Sequence, residues 1–449
     1  MIARSEFYKL TALSLLVAAI SLHAQTAQPA PELTLENAVS LALKDNRDVR
    51  NARFEIEKSE NDVAIARTYM LPSFELNVVE AEFLGQFSFK VPEGAWGVYP
   101  ATGPIPGSAE PLTTPAHPFT VVEAKASQPL SRFHGLKMGI RLRELERDEA
   151  KEKLRAQQSE LANQVRKLYY GMMETQSALA ANQQSLETLG EQDRVATERV
   201  SRRTALQSEE LDVKARIARV GYESANLQHR LAAQKEQLND LMGRDPATEF
   251  TIRPLGDVSL DAPDLAAARA RALAERPEIR QALLKISEAQ ADREVKKAER
   301  LPEVSLDVAY LSPFRIAFLP ENISWAGFSL KWDVFDWGRK KKELANKSIV
   351  IDQATLALRG VQSQVAFEVE SHYAKIMESQ RLLEVIKAAQ EAGRERVRIA
   401  DERHSRDAAL LQDLMEAQSS LAETDNRYQQ ALASYMSARA DFEKAVGGQ

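Results

Sequence analysis

Two pairs of carboxylates occupy equivalent places in the two halves of this chain. Aligning Arg199 with Arg403 sets Glu209 over Asp413 and Asp212 over Glu416. Each pair is spaced i, i+3, which puts both side chains on one helix face. Like charges set together favour cations and call for countercharges, and Arg199, Arg202, Arg203, Arg403 and Arg406 lie near in sequence. Acidic residues near a helix start are also favoured by the helix dipole, so spacing alone admits both readings. Other chemistry is sparse. The six histidines (His23, His117, His134, His229, His372, His404) are scattered without metal-ligand spacing. There is no cysteine, hence no disulfide, no thiolate metal site, no cysteine nucleophile and no lipid-modified cysteine. No phosphate loop, dinucleotide fingerprint or nucleophile elbow occurs. The sequence thus predicts no enzyme, no cofactor and no metal site. A net charge of −6 also argues against a general nucleic-acid binder.

The elements that would carry these carboxylates are long. The proline-free stretches 136–202 and 339–404 read as helices, each reaching about 100 Å at the helical rise. Apolar residues recur at helical spacing along the second, at Ala354, Leu358, Val361, Val365, Val369, Tyr373 and Ile376. After tips near Arg203-Thr204 and Ser405-Arg406, shorter helices return over about 208–242 and 409–446. Aromatics make up only 6% of the chain, which suits extended helices packed along coiled-coil-like seams.

Strands lead into both long helices. Phe328, Leu330, Trp332 and Val334 alternate with Gly327, Ser329, Lys331 and Asp333, the period of a strand with one apolar and one polar side. The expected strands cover about 72–82 and 119–131, then 303–311 and 323–335. Helices before them start at Thr34, a candidate cap with Asn37 where a capping box has Glu or Gln, and at Pro263. The unit is duplicated. Leu71-Pro72-Ser73-Phe74-Glu75-Leu76-Asn77-Val78 lies over Leu301-Pro302-Glu303-Val304-Ser305-Leu306-Asp307-Val308 without a gap, and Arg50-Asn51-Ala52 lies over Arg280-Gln281-Ala282 in the same register. Residues 28–250 form the first repeat and 251–449 the second. Before them, residues 1–27 read as an export signal, with Arg4 and Lys9, an apolar run Leu10 to Leu22, and small residues at Ala24 and Ala27. Within the first repeat, about 83–118 holds seven of the chain's 18 prolines and is expected to lack regular structure.

The order helix, strand, strand, long helix, short helix, twice over, resembles the TolC-like outer-membrane efflux proteins. The residues that carry it are the Leu-Pro before a strand (Leu71-Pro72, Leu301-Pro302), the turn Val334-Phe335-Asp336-Trp337-Gly338-Arg339, and the tip segment Arg403 to Ala417. That turn is similar to the family's Leu-Phe-Asp-Gly-Gly-Arg type, and Arg203 and Asp407 stand where the family usually has glycine. The resemblance implies a mainly α fold with a membrane β-barrel contribution. Four strands from each subunit would enter a trimeric twelve-stranded barrel on an α-helical periplasmic tunnel. It implies a channel for passive passage from a tripartite efflux or type I secretion pump to the cell exterior. The partners would be a homotrimer, a periplasmic adaptor at the helical tips, an inner-membrane pump and outer-membrane lipid. Asp413, Glu416, Glu209 and Asp212 would form the periplasmic aperture, with Arg199, Arg203, Arg403 and Arg406 as countercharges. Trp332, Phe335, Trp337, Arg339 and Lys340 would form an interfacial belt. The alternative is a non-enzymatic periplasmic coiled-coil scaffold, which explains the helices but not the alternating strands.

Overall fold

The computed structural model describes residues 31–204, 206–253, 263–316, 319–406 and 411–448. The expected signal segment 1–27 and Asp407 lie outside them. In order, the elements are β1 (Glu32–Leu33), α1 (Leu35–Asp45), α2 (Arg47–Thr68), β2 (Ser73–Glu82), β3 (Phe87–Val91), β4 (Val98–Tyr99), β5 (Gly103–Pro104), β6 (Glu110–Thr114) and β7 (Pro118–Pro129). They continue with α3 (Phe133–Ser201), α4 (Gln207–Leu241), β8 (Thr251–Ile252), α5 (Leu265–Glu275) and α6 (Pro277–Ala298). The last are β9 (Glu303–Phe314), β10 (Ile323–Lys331), α7 (Arg339–Ser405) and α8 (Leu411–Ala445). Helix α3 has 69 residues and α7 has 67. The described residues fall into two compact units, and each long helix contributes to both.

One unit contains Phe54–Glu152 and Arg280–Val361. Its sheet has four antiparallel strands in the order β10-β9-β7-β2, so β7 of the first half pairs with β9 of the second. Alternation along each strand becomes two faces because the register matches like with like. Phe74, Ala126, Val308 and Ala326 form one cross-strand row, and Leu76, Ala124, Tyr310 and Ser324 the next. The other face carries Glu75 opposite Lys125 and Ser127 opposite Asp307. On that face the Ser305 and Ser329 hydroxyls lie 2.7 Å apart. Helices α2 and α6 join the beginnings of α3 and α7 through Arg67–Glu144 at 3.1 Å and Lys347–Asp292 at 2.5 Å.

Three local expectations are corrected. Residues 83–118 are not without regular structure: β3 pairs with β6 and β4 with β5. The glycines that suggested irregularity make the turns instead, with Gly94, Gly97 and Gly103 all at positive φ. Strand β10 stops at Lys331 rather than about 335, because the chain turns to let Asp336 meet the start of α7. Strand β9 runs on to Phe314, three residues past the expected end.

The other unit contains the described residues up to Arg53, Lys153–Ile279 and Gln362–Gln449. Here Val165, Tyr169 and Met172 of α3 pack with Ala38, Ala42, Val49, Leu238, Met242 and Phe250 in a closed apolar core. The Tyr169 hydroxyl accepts from the Arg253 N–H at 3.1 Å and lies 2.9 Å from the Leu33 carbonyl, which ties the parallel pair β1–β8 to α3. Thr34 accepts the Asn37 N–H at 3.3 Å, and Asp264 performs the same task for α5. Gly243, with φ of 70°, sits so close that a Cβ would meet the Asp45 carbonyl oxygen at 2.4 Å, so only glycine fits. Along α7 the buried residues Val365, Val369, Ile376, Ser379, Leu383 and Gln390 continue the predicted stripe. Gln390 reaches Asp425 of α8 at 2.7 Å.

Candidate functional site

The sheet has its apolar face out. In β9 the apolar Leu306, Val308 and Tyr310 are exposed while Asp307 and Ala309 between them are 3% exposed. Phe74, Leu76 and Val78 of β2 and Phe328 and Leu330 of β10 are exposed on the same face. In water this order is inverted, because each exposed apolar side chain forgoes about 1.5–3 kcal/mol of burial. A medium of lipid removes that penalty. Strands β2 and β10 each pair on one side only, so the sheet ends in two open backbone edges. Among the described residues no helix is long and apolar enough to cross a membrane.

Below the sheet, the belt residues divide. Trp332, Phe335 and Trp337 are exposed, with Phe335 and Trp337 in edge contact at 4.8 Å between ring centres. Arg339 and Lys340 instead turn to carboxylates: Lys340 Nζ lies 3.1 Å from Asp333, and Arg339 lies 3.2 Å from Glu343. Asp336 accepts from the N–H groups of Gly338 and Lys340 at 3.0 and 2.9 Å. These bonds, the Lys340 one foremost, hold its carboxyl below the usual range. The cations that oppose the α7 dipole are thus partly offset within the chain itself. Sequence reading missed Asp333 and Asp336 in this role, although an Asp two residues before Gly338 and a basic run is a helix-start signal.

At the tips, Glu209 and Asp212 lie on the first turns of α4, and Asp413 and Glu416 on those of α8. All four are exposed, as are Arg199, Arg203, Arg403 and Arg406. Among the described residues no ion pair joins Glu209, Asp212 or Glu416 to these arginines; Arg202 pairs with Glu198 and Lys214 with Glu210. Arg203 occupies the left-handed region at φ 61°, and Trp337 does so at φ 57°. Both stand where the resembling family has glycine.

Residues 263–448 match the family model of the outer membrane efflux proteins. Over that stretch the chain is similar to the outer membrane efflux proteins. Fold similarity extends to the rest of the chain. A membrane protein from Pseudomonas aeruginosa superposes with a TM-score of 0.72 at 17% identity, over 93% of this chain and 91% of that one. The CmeC outer membrane channel of Campylobacter jejuni gives 0.71 at 16% identity, over 92% and 85%. The open state of the Neisseria gonorrhoeae MtrE outer membrane channel gives 0.69 at 18% identity, over 92% and 89%. No curated protein matches the sequence. The chain thus shares the fold of outer membrane channels, and the coiled-coil scaffold, which leaves the four-stranded sheet unexplained, is not favoured.

Proposed function

We propose that three copies of this chain close their four-stranded sheets into one twelve-stranded barrel on a shared helical tunnel. The observation that carries this is the sheet with apolar side chains exposed along one face of β2, β9 and β10 and with both edges open. Unpaired edges in lipid cost several kcal/mol per backbone group, so the strands must close. Four strands are too few, since outer-membrane barrels begin at about eight. Two copies would meet that count; the family likeness favours three. The repeats 28–250 and 251–449 then each supply a hairpin and a pair of tunnel helices after removal of the 1–27 signal.

In this reading the channel is a passive conduit, without catalysis or cofactor, from a periplasmic adaptor and inner-membrane pump to the exterior. The adaptor docks at the helical tips. Trp332, Phe335 and Trp337 sit at the lipid interface. Asp413 and Glu416, with Glu209 and Asp212, ring the periplasmic aperture, while Arg199, Arg203, Arg403 and Arg406 supply countercharge when it closes. The test is fractionation of cells expressing the full chain, followed by cross-linking and planar-bilayer recording of the purified product. A membrane-bound trimer with discrete conductance is expected. A soluble periplasmic product without conductance would overturn the reading.

A further inference from the structure

A cavity of about 450 Å³ lies where the sheet gives way to helices, within the unit that contains the sheet. Its size is that of a small-molecule site. Its lining holds five cations, Arg132, Arg143, Lys331, Arg339 and Lys340, against three carboxylates, Glu299, Glu303 and Asp333. The carboxylates are already engaged: Glu303 with Arg132 at 3.1 Å, Asp333 with Lys340 at 3.1 Å, and Glu299 with Lys296 at 2.7 Å. Lys331 has no carboxylate partner among the described residues. It stands opposite Glu303 in the register, on the polar face of the sheet. The floor is open beside Gly139, where an added Cβ would meet nothing within 4 Å.

We infer that this cavity binds a phosphate-class anion, with Lys331 as the principal contact and Arg132 and Arg143 at its sides. Arg143 is paired with Glu146 at 2.7 Å and Arg339 with Glu343 at 3.2 Å, so the uncommitted charge in the lining is the Lys331 ammonium, which lowers the free energy of an anion that it and a neighbouring guanidinium can both reach. The polar-face position of Lys331 points to an anion arriving from the lumen. The nearby exposed Trp332 leaves a lipid phosphate as the other source of the same chemistry. This placement rests on the barrel reading above; the cavity and its charge do not.

The experiment uses the full chain, purified and reconstituted in planar bilayers of neutral lipid and, separately, of lipid containing phosphatidylglycerol. Inorganic pyrophosphate is the probe. It is expected to reduce the single-channel current in a saturable way. Lys331→Gln should raise the half-blocking concentration about tenfold, the scale of one charge-assisted hydrogen bond. Gly139→Leu, which fills the cavity within a helix, should abolish the block, and Lys341→Gln outside the lining should leave it unchanged. Equal block in both bilayers assigns a soluble anion; protection by phosphatidylglycerol assigns a lipid headgroup. Calorimetric titration of pyrophosphate into the detergent-purified protein reads the cavity without conductance, so a failed barrel and a failed anion site are told apart. No binding heat, or the same affinity in Lys331→Gln, overturns the inference.

Discussion

The Asp336 carboxylate accepts the backbone N–H of Lys340 at 2.9 Å, and through it a helix that begins with four consecutive cations is given an anion at its first turn. Asp336→Ala should fray that turn, seen as faster hydrogen exchange over 338–342, whereas Asp336→Asn should keep most of the cap. The pH sign follows from the depressed carboxyl. Its stabilisation is present above the ordinary value of 3.8 and is lost as pH falls through the lower folded value. Exchange in this turn should therefore accelerate below about pH 4 and not between neutrality and pH 5. In the same segment Lys341 and Lys342 have no carboxylate partner among the described residues. Replacing both with glutamine should lower membrane insertion if lipid phosphates answer them.

A buried arginine makes the second prediction. Arg276 is 6% exposed and reaches both Glu278 and Glu368. Burial pushes the Glu368 carboxyl up, but hydrogen bonds from Arg276 and Gln364, with the Arg276 charge, outweigh it and hold it below the usual range. Arg276→Ala leaves two carboxylates facing a low-dielectric gap. The cost should be about 2–3 kcal/mol, under the range for a fully buried pair because both glutamates keep some solvent. Thermal melting of the helical circular dichroism should show it. The contribution of Glu368 is present above its ordinary 4.5 and disappears as pH drops through its folded value. The gap between wild type and Arg276→Ala should accordingly close in acid.

What the sequence could show divides along a physical line. Element type and order were legible because they are local: the Thr34 cap, the alternation from Phe74 to Val78 and the stripe from Val365 to Ile376 each need only neighbours within a few residues. The pairing of β7 with β9 was not legible, since Ala126 and Val308 are far apart in sequence and share no turn. The hairpins inside 83–118 escaped for the same reason, because β3 and β6 find each other across two tight turns rich in glycine. At the candidate sites the carboxylate pairs and aromatics were visible as residues. The partners of Arg339 and Lys340 were hidden by a strand that ends at Lys331 and turns Asp333 toward them. The cavity around Lys331 takes side chains from four separate segments, which no sequence period reveals.

Arg203 offers a clean strain test. An L-residue at φ 61° costs about 1–2 kcal/mol relative to glycine in the same conformation. Arg203→Gly should be neutral or stabilising by up to about 1 kcal/mol, once the entropy that glycine gains in the unfolded chain is subtracted. Gly243→Ala should do the reverse, since its added Cβ meets the Asp45 oxygen. Melting curves of the two variants should therefore move in opposite directions. Arg203→Asn keeps a residue tolerant of this backbone while removing charge, and comparing its conductance with Arg203→Gly separates strain from countercharge.

The hairpin segment between β2 and β7 should be dispensable for assembly. Phe83 stacks on Phe119 with ring centres 4.5 Å apart and meets His117 edge-on, which closes the sheet end before the small hairpins begin. Deleting 87–114 and joining the ends with a short Gly/Ser linker leaves that closure intact. Surface loops tolerate such shortening because loop closure entropy changes slowly with length. A heat-resistant oligomer on semi-native gels is the expected result. Loss of the oligomer would place this segment in the contacts between copies.

The aperture proposal is tested at the tips. Asp413 and Glu416 are exposed and one turn apart on the first turns of α8, and Glu209 and Asp212 repeat that arrangement on α4. Three copies would bring up to about twelve carboxylates around one opening. At such density a passing cation is stabilised and a multivalent cation bridges neighbouring subunits. Asp413→Asn with Glu416→Gln removes half of that charge without changing side-chain volume. In planar bilayers under a salt gradient, the reversal potential should shift toward zero. Block by a trivalent cation added from the periplasmic side should need at least tenfold more cation, about 1.4 kcal/mol of lost interaction. The matching pair Glu209→Gln with Asp212→Asn should act in the same direction and more weakly, because its likeness to the family's aperture is the weaker of the two. An unchanged reversal potential and unchanged block in the first pair would show that these carboxylates only answer their helix dipoles.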